Sequence, residues 1–313
     1  MDLYLDKKIR VDKIKNNNSL LDHLHVHSEY LSVKIYPNLG GSIQELKVGN
    51  RKVIDGITDD QMGLDDYAAT YKSSILFPFP NRIEDGTYHY KGKQYTFQVN
   101  EAPVNNAIHG IVYDKAFDTG HIHMDQEAVS IELTYVSDGS ETGFPFPFVL
   151  TLTYLIQVSG SMKLRFEVQN TGASAFPYGL GWHPYFFTES LKDCTLAFPS
   201  ADHFLCNERS LPVKEVKSPL PGQFEIGEKK FDDAYSLRKS TCSLETGSYE
   251  LTMNFTDESR TFLQVYTPPH GKSIALEPMT CIANSFNSGI GMKELLPGNK
   301  SSWTVDLDLK LKD

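Results

Sequence analysis

Cysteine is scarce in this chain and nowhere clustered: Cys194, Cys206, Cys242 and Cys281 stand 12, 36 and 39 residues apart, with no Cys-x-x-Cys pair. A zinc knuckle and a redox dithiol are both excluded by that spacing, which leaves four reduced, mostly buried thiols as the expectation. Positive charge is also short. Lys plus Arg number 30 against 40 Asp plus Glu, a formal charge of −10, and no dense basic tract supplies the phosphate-neutralising stripe that a nucleic-acid partner requires. Long apolar runs are missing too. The richest, Phe144 to Val158, is interrupted by Pro145, Pro147, Thr151, Thr153 and Gln157. It falls short of the ~18–20 residues of a membrane helix and reads instead as a core strand, so no membrane partner is expected. The opening residues Met1 to Lys8 alternate charged and apolar side chains and hold no apolar core of the secretory type, which points to the cytoplasm.

Helical periodicity is nearly absent. Only Thr58 to Tyr71 fits a short helix, with Thr58 or Asp59 as its cap. No internal repeat, low-complexity tract or Pro/Gly/Ser-rich linker divides the 313 residues. What the chain has in quantity is alternation of period two: Leu31, Val33 and Ile35; Val129 to Tyr135; Leu150 to Val158; Met162 to Val168; Val305 to Leu311. Tyr88 to Tyr90 and Tyr95 to Val99 flank Lys91-Gly92-Lys93 as a hairpin in which Gly92 takes the positive-φ position. Strands following strands with turns between them imply an all-β fold, a large antiparallel sandwich or barrel. The expected division is a polar extension or edge element over residues 1–28 and one β-domain over 29–313.

Reactive residues gather in five places. In Phe77-Pro78-Phe79-Pro80-Asn81-Arg82-Ile83, two alternate prolines cannot both serve a sheet ladder, so an edge or loop delivers Asn81 and Arg82. Arg82 is then either a surface ion pair or a fork that holds sugar hydroxyls. His109 stands before Gly110, as a turn histidine or a ligand. Gly179-Leu180-Gly181-Trp182-His183-Pro184-Tyr185-Phe186 sets one histidine among aromatics, either an aromatic core or a platform for the apolar face of a pyranose, with Trp182 and Tyr185 as its walls. Asp232-Asp233 precedes Ala234-Tyr235 and is a solvated turn unless a ligand claims it. Glu277 follows an apolar strand that Pro278 is expected to halt. Partial burial there would raise its pKa and suit it to proton transfer. A further pattern, His23-x-His25-x-His27-x-Glu29, aligns three imidazoles on one strand face. Zinc binding is one reading, but a solvated face is preferred because no second ligand cluster lies near. His121-x-His123 is read the same way.

In combination and in this order, these places resemble the aldose 1-epimerase family. Pro80-Asn81-Arg82-Ile83, with Gly86, Tyr88, Gly92 and Asn100 after it, is similar to the family's Asn-Arg-Ile segment and hairpin. His109-Gly110 and His183-Pro184-Tyr185-Phe186 resemble its two histidine motifs. Asp232, three places before Tyr235, resembles its Asp-x-x-aromatic signature better than Asp233 does. Glu277 matches the catalytic glutamate, and Leu296-Pro297-Gly298 the closing turn. The resemblance implies a large antiparallel β-sandwich with a sugar site on the concave face of one sheet, and neither metal nor organic cofactor.

It also implies roles. Glu277 is the base and His183 the acid on opposite sides of the C1–O5 bond, giving a pH profile that falls in acid as Glu277 protonates and in base as His183 loses its proton. His109 polarises the ring-oxygen side, while Arg82, Asn81, Asp232, Trp182 and Tyr185 hold the sugar. Where the family often has a second Gly and a later Trp after its first histidine motif, this chain has Ile111, Val112, Tyr113 and Phe117, a departure that bears on which sugar is preferred. Two other functions fit the same fold: a hexose-6-phosphate mutarotase, which needs a basic phosphate pocket and has only scattered candidates such as Lys72 and Lys115, and a sugar-binding protein without turnover, which needs no Glu277 and His183 pair.

Overall fold

Alternation of apolar and polar residues becomes alternation of burial. In the computed structural model, which describes residues 9–256, 258 and 260–312, the strands Ala128–Ser137, Phe148–Gln157, Met162–Asn170 and Lys300–Leu311 lie side by side, antiparallel and in continuous register. Leu133, Leu152, Phe166 and Trp303 form one row across them, all buried, while the next row, Thr134, Thr151, Glu167 and Ser302, faces outward. A one-residue slip would exchange these faces, so the buried row fixes the register. These strands belong to a 9-stranded sheet.

Facing it is a 13-stranded sheet running from the edge strand Arg10–Ile14 through His23–His27, Leu31–Tyr36, Ser42–Val48, Arg51–Asp55, Tyr185–Phe187, Ser273–Met279, Thr261–Tyr266 and Asp232–Leu237 to Ser200–Cys206 and Pro212–Lys217. Residues of both sheets, among them Val33, Ile54, Ile274 and Leu276 from one and Leu150, Leu164 and Trp303 from the other, join in one apolar core. The fold is thus the antiparallel all-β sandwich that the sequence implies. Among the described residues no helix is long and apolar enough to cross a membrane.

Several local expectations are corrected. The helix spans Gln61–Thr70, and its cap is Asp60, whose side chain accepts from the Gly63 amide at 2.9 Å. Thr58 instead donates to Asp60, and Tyr71 in the left-handed region (φ 52°) ends the helix. Pro278 does not halt its strand: Ser273–Met279 continues through it, with Pro278 opposite Leu263. Of the edge or loop expected to deliver Arg82, the structure has the edge: Arg82 opens a short strand, Arg82–Glu84, paired with Asn106–Ile108 in a two-stranded sheet. The hairpin forms with Thr87–Tyr90 and Lys93–Thr96 around positive-φ Lys91 and Gly92.

The three imidazoles of His23–His27 do share a face, but it is not simply solvated. His23 is buried against the ring of Tyr36 at 4.9 Å, His25 meets the Ser32 hydroxyl at 2.9 Å and His27 meets Asp12 at 2.8 Å. Each has its own partner, and among the described residues no group of three His, Cys, Asp or Glu converges as metal ligands do. Cys194, Cys242 and Cys281 are buried free thiols, while Cys206 is exposed. Residues 1–8, part of the expected N-terminal extension, lie outside the described residues.

Candidate active site

Strand geometry alone aims the central carboxylate. Along Ser273–Met279, Ile274 and Leu276 enter the apolar core, so Ala275 and Glu277 must face the other side, toward a cavity of about 380 Å³. Antiparallel pairing puts Gln264 opposite Glu277, Tyr266 opposite Ala275, and Asp232 opposite Tyr266 on the next strand. Gln264, Tyr266, Asp232 and Glu277 therefore share one concave face, and all line the cavity. On the other flank of the same strand, Tyr185 opposes Ala275.

His183 precedes Tyr185 in the link from the short strand Gly181–Trp182. Its amide donates to the Ser74 carbonyl at 3.1 Å, and its carbonyl accepts from the Ser73 amide at 2.8 Å. The imidazole lies parallel to the Tyr185 ring, 3° between planes and 5.1 Å between centroids, and its Nε2 stands 3.3 Å from Glu277 Oε1. His109 (φ 65°), tied by its amide to the Asn81 carbonyl at 2.8 Å, places its ring edge-to-face on His183 at 5.0 Å. Gly110, at φ 74°, passes so near Phe77 that a Cβ would sit 2.1 Å from its carbonyl oxygen. The glycine is there for chain packing. The same holds for Gly179 and Gly181, whose close approaches are to Cys281 and Pro80.

The site residues expected from the sequence thus converge, with one exception. Asn81, Arg82, His109, His183, Tyr185, Asp232 and Glu277 all line the cavity. Trp182 does not: its indole lies wholly in the apolar core, perpendicular to the Phe186 ring. Neighbours in an extended chain point to opposite sides, so a segment that sends His183 to the site sends Trp182 inward. Asp233 likewise turns away, to His203 at 2.8 Å.

The cavity also includes residues that sequence reading missed. Glu101 holds Arg82 by a fork, with Nε at 2.8 Å from Oε2 and Nη2 at 2.7 Å from Oε1. Gln264 accepts from Asn81 at 3.3 Å and donates to Asp232 at 2.9 Å. Tyr71 and Tyr266 complete the aromatic lining. The one sequence signal among these was Gln264, an amide within the otherwise apolar Thr-Phe-Leu-Gln-Val-Tyr strand. Glu101 sits in a polar loop like many others.

Burial dominates the electrostatics. It pushes Glu277 well above the usual carboxylate range, helped by Asp232 and opposed by Arg82. Burial draws His183 down to about 3 and His109 well below the ordinary histidine value, in both cases with help from the Arg82 charge. Asp232 is raised by its own burial. Arg82 alone goes against its desolvation, because Glu101 bonds and neutralises it. Glu277 Oε2 and the Nδ1 atoms of both histidines are buried without a hydrogen-bond partner among the described residues. Buried polar atoms are rarely left so. The pocket thus offers bonding capacity to a polar ligand small enough for the cavity.

Residues 22–308 match the family model described as aldose 1-epimerase. The chain belongs to the aldose 1-epimerase family. It is 26% identical to the uncharacterized protein YihR of Escherichia coli (strain K12) over 234 residues, 72% of this chain and 74% of that protein. It is 24% identical to the galactose mutarotase of Homo sapiens over 159 residues, 49% of this chain and 44% of that one. The fold is shared with a galactose mutarotase-like protein from Clostridium acetobutylicum (TM-score 0.86, 21% identity, 98% of this chain and 100% of that one). It is shared also with the galactose 1-epimerase of Lactobacillus acidophilus NCFM (TM-score 0.79, 16% identity, 98% and 99%).

Proposed function

We propose that this member of the aldose 1-epimerase family interconverts the α and β anomers of a hexose such as galactose or glucose. The observation that carries the reading is the buried contact of His183 with Glu277, 3.3 Å apart in a small cavity rimmed by hydroxyl-binding groups.

Anomer exchange requires the O1 proton to leave as the C1–O5 bond breaks. The O–H electron pair becomes the C1=O1 double bond, and the C1–O5 pair takes up a proton at O5. Rotation about C1–C2 and reclosure return the other anomer. O1 and O5 are both bonded to C1, so two proton carriers in mutual contact can reach both, without standing on opposite sides of the ring.

Burial favours imidazole and carboxylic acid over the charged pair, so at rest the single proton of the pair belongs to Glu277. On opening, Glu277 gives it to O5 while His183 takes the O1 proton, and on closure each transfer reverses. Both loadings of the pair occur within one cycle. A neutral His109 donates toward the ring-oxygen side. Arg82, Asp232, Asn81 and Gln264 hold the hydroxyls, and Tyr185 offers its face to the apolar side of the ring.

The test is polarimetry on freshly dissolved α-D-galactose and α-D-glucose. The reading requires acceleration over buffer for at least one of them, lost in Glu277→Gln. Tight sugar binding with no acceleration would make this a sugar-binding protein on the same fold.

A further inference from the structure

We infer that Glu101 is a specificity-determining residue which, by claiming the guanidinium of Arg82, closes this pocket to hexoses that carry a negative charge. The inference rests on the sugar reading above and adds to it the class of sugar refused.

Among the described residues that line the cavity, Arg82 is the one Lys or Arg, against three carboxyl groups, Glu101, Asp232 and Glu277. Its charge is already claimed, although one N–H on each Nη is left to meet a hydroxyl. Nε and Nη2 go to Glu101, and Nη1 donates to Asn81 Oδ1 at 3.2 Å. Both partners of the ion pair are largely withdrawn from solvent, with side chains 15% and 22% exposed, so water screens the pair little.

The grip is itself held from behind. Asn106 donates to Glu101 Oε2 at 3.2 Å and to the Arg209 carbonyl at 3.0 Å, while the Arg209 guanidinium bonds the Asn106 side chain at 3.1 Å and the Val104 carbonyl at 2.9 Å. Glu101 cannot swing aside to release Arg82 without breaking this chain of bonds.

Neighbouring cations are committed as well. Lys72, behind the Tyr185 ring, meets Asp66 at 2.9 Å and Asp55 at 3.6 Å, and Lys115 meets Glu141 at 3.5 Å. A phosphate or carboxylate on a bound hexose would thus be desolvated beside the Asp232 carboxylate and a Glu101–Arg82 pair whose positive charge is already matched, with no free cation to meet it, whereas a neutral hydroxyl finds acceptors in Asp232 and Glu101 and donors in Arg82 and Gln264.

Galactose and galacturonate differ only in bearing a hydroxymethyl or a carboxylate on C5, which makes them the decisive pair. We expect the wild-type kcat/KM for galactose to exceed that for galacturonate about 100-fold or more, and Glu101→Gln, which keeps the shape and removes the charge, to narrow that ratio about tenfold. If Glu101→Gln does not fold, Asn106→Ala, which removes a bond that holds Glu101 on Arg82, should narrow the same ratio, and an unchanged ratio there overturns the inference as well.

Turnover or binding of galacturonate within about threefold of galactose in the wild type overturns the inference, as does an unchanged ratio in folded Glu101→Gln. Calorimetry separates it from the mutarotase reading. Galactose bound, galacturonate refused and neither turned over would sink that reading and leave the selectivity standing; failure to bind either sugar would sink both.

Discussion

Gln264 is the register partner of Glu277 on the neighbouring antiparallel strand, and its amide ties Asp232 on one side to Asn81 on the other. One side chain thereby links three motifs that are far apart in sequence. Gln264→Ala should loosen Asp232 and Asn81 together. The expected result is a KM for galactose raised about tenfold with kcat changed much less, since on the proposed reading these groups would meet the sugar in ground and transition states alike. Arg82→Ala and Asp232→Asn should behave in the same way. A fall in kcat by orders of magnitude at constant KM would place these residues in the chemical step instead.

Glu277→Gln and His183→Asn should strike that step directly. Each removes one of two proton carriers, so kcat is expected to fall by ~10²–10⁴ while sugar binding persists. The transfers are coupled, and the double variant should therefore be little worse than the poorer single one. Additive losses in stopped polarimetric assays would show that the two act independently.

The pH profile of kcat/KM should be a broad bell. Below the lowered His183 value both groups carry a proton; above the raised Glu277 value neither does; between them the pair holds the single proton that transfer needs. The acid limb then belongs to His183 and the alkaline limb to Glu277, the reverse of what their ordinary values suggest. In residual turnover by Glu277→Gln the alkaline limb should vanish, and its survival would assign it to another group.

Exhaustive chelation should leave activity unchanged, because His23, His25 and His27 each have a different partner and no ligand trio lies at the cavity among the described residues. Loss of activity restored specifically by zinc would refute this.

Gly179→Ala tests packing rather than chemistry. A Cβ there would lie 2.2 Å from Cys281 Sγ in a fully buried setting, so the chain or Cys281 must move. Overpacking of this kind costs about 1–3 kcal/mol, to be read as a lowered urea midpoint with unchanged slope.

The sequence by itself determined the antiparallel all-β class, because period-two alternation specifies a strand and its buried face without reference to partners: Leu133, Leu152 and Phe166 were each identifiable as inward before their row was seen, while Trp303, outside the alternation read over Val305 to Leu311, was not. It also marked seven residues of the cavity lining, since Asn81, Arg82, His109, His183, Tyr185, Asp232 and Glu277 stand in motifs that the strands would not otherwise need. Tertiary structure alone decided what surrounds them.

Trp182 looked like a sugar platform beside His183, yet strand alternation turns neighbours to opposite sides and sends it into the core. Glu101 looked like any loop carboxylate, and only the pairing of Arg82–Glu84 with Asn106–Ile108 brings its loop to Arg82. The resemblance made His183 the acid and Glu277 the base, whereas burial in the folded chain favours the proton of the pair on Glu277. That placement follows from burial and from charges brought near by folding, and neither is a property of a residue until the chain has closed around it.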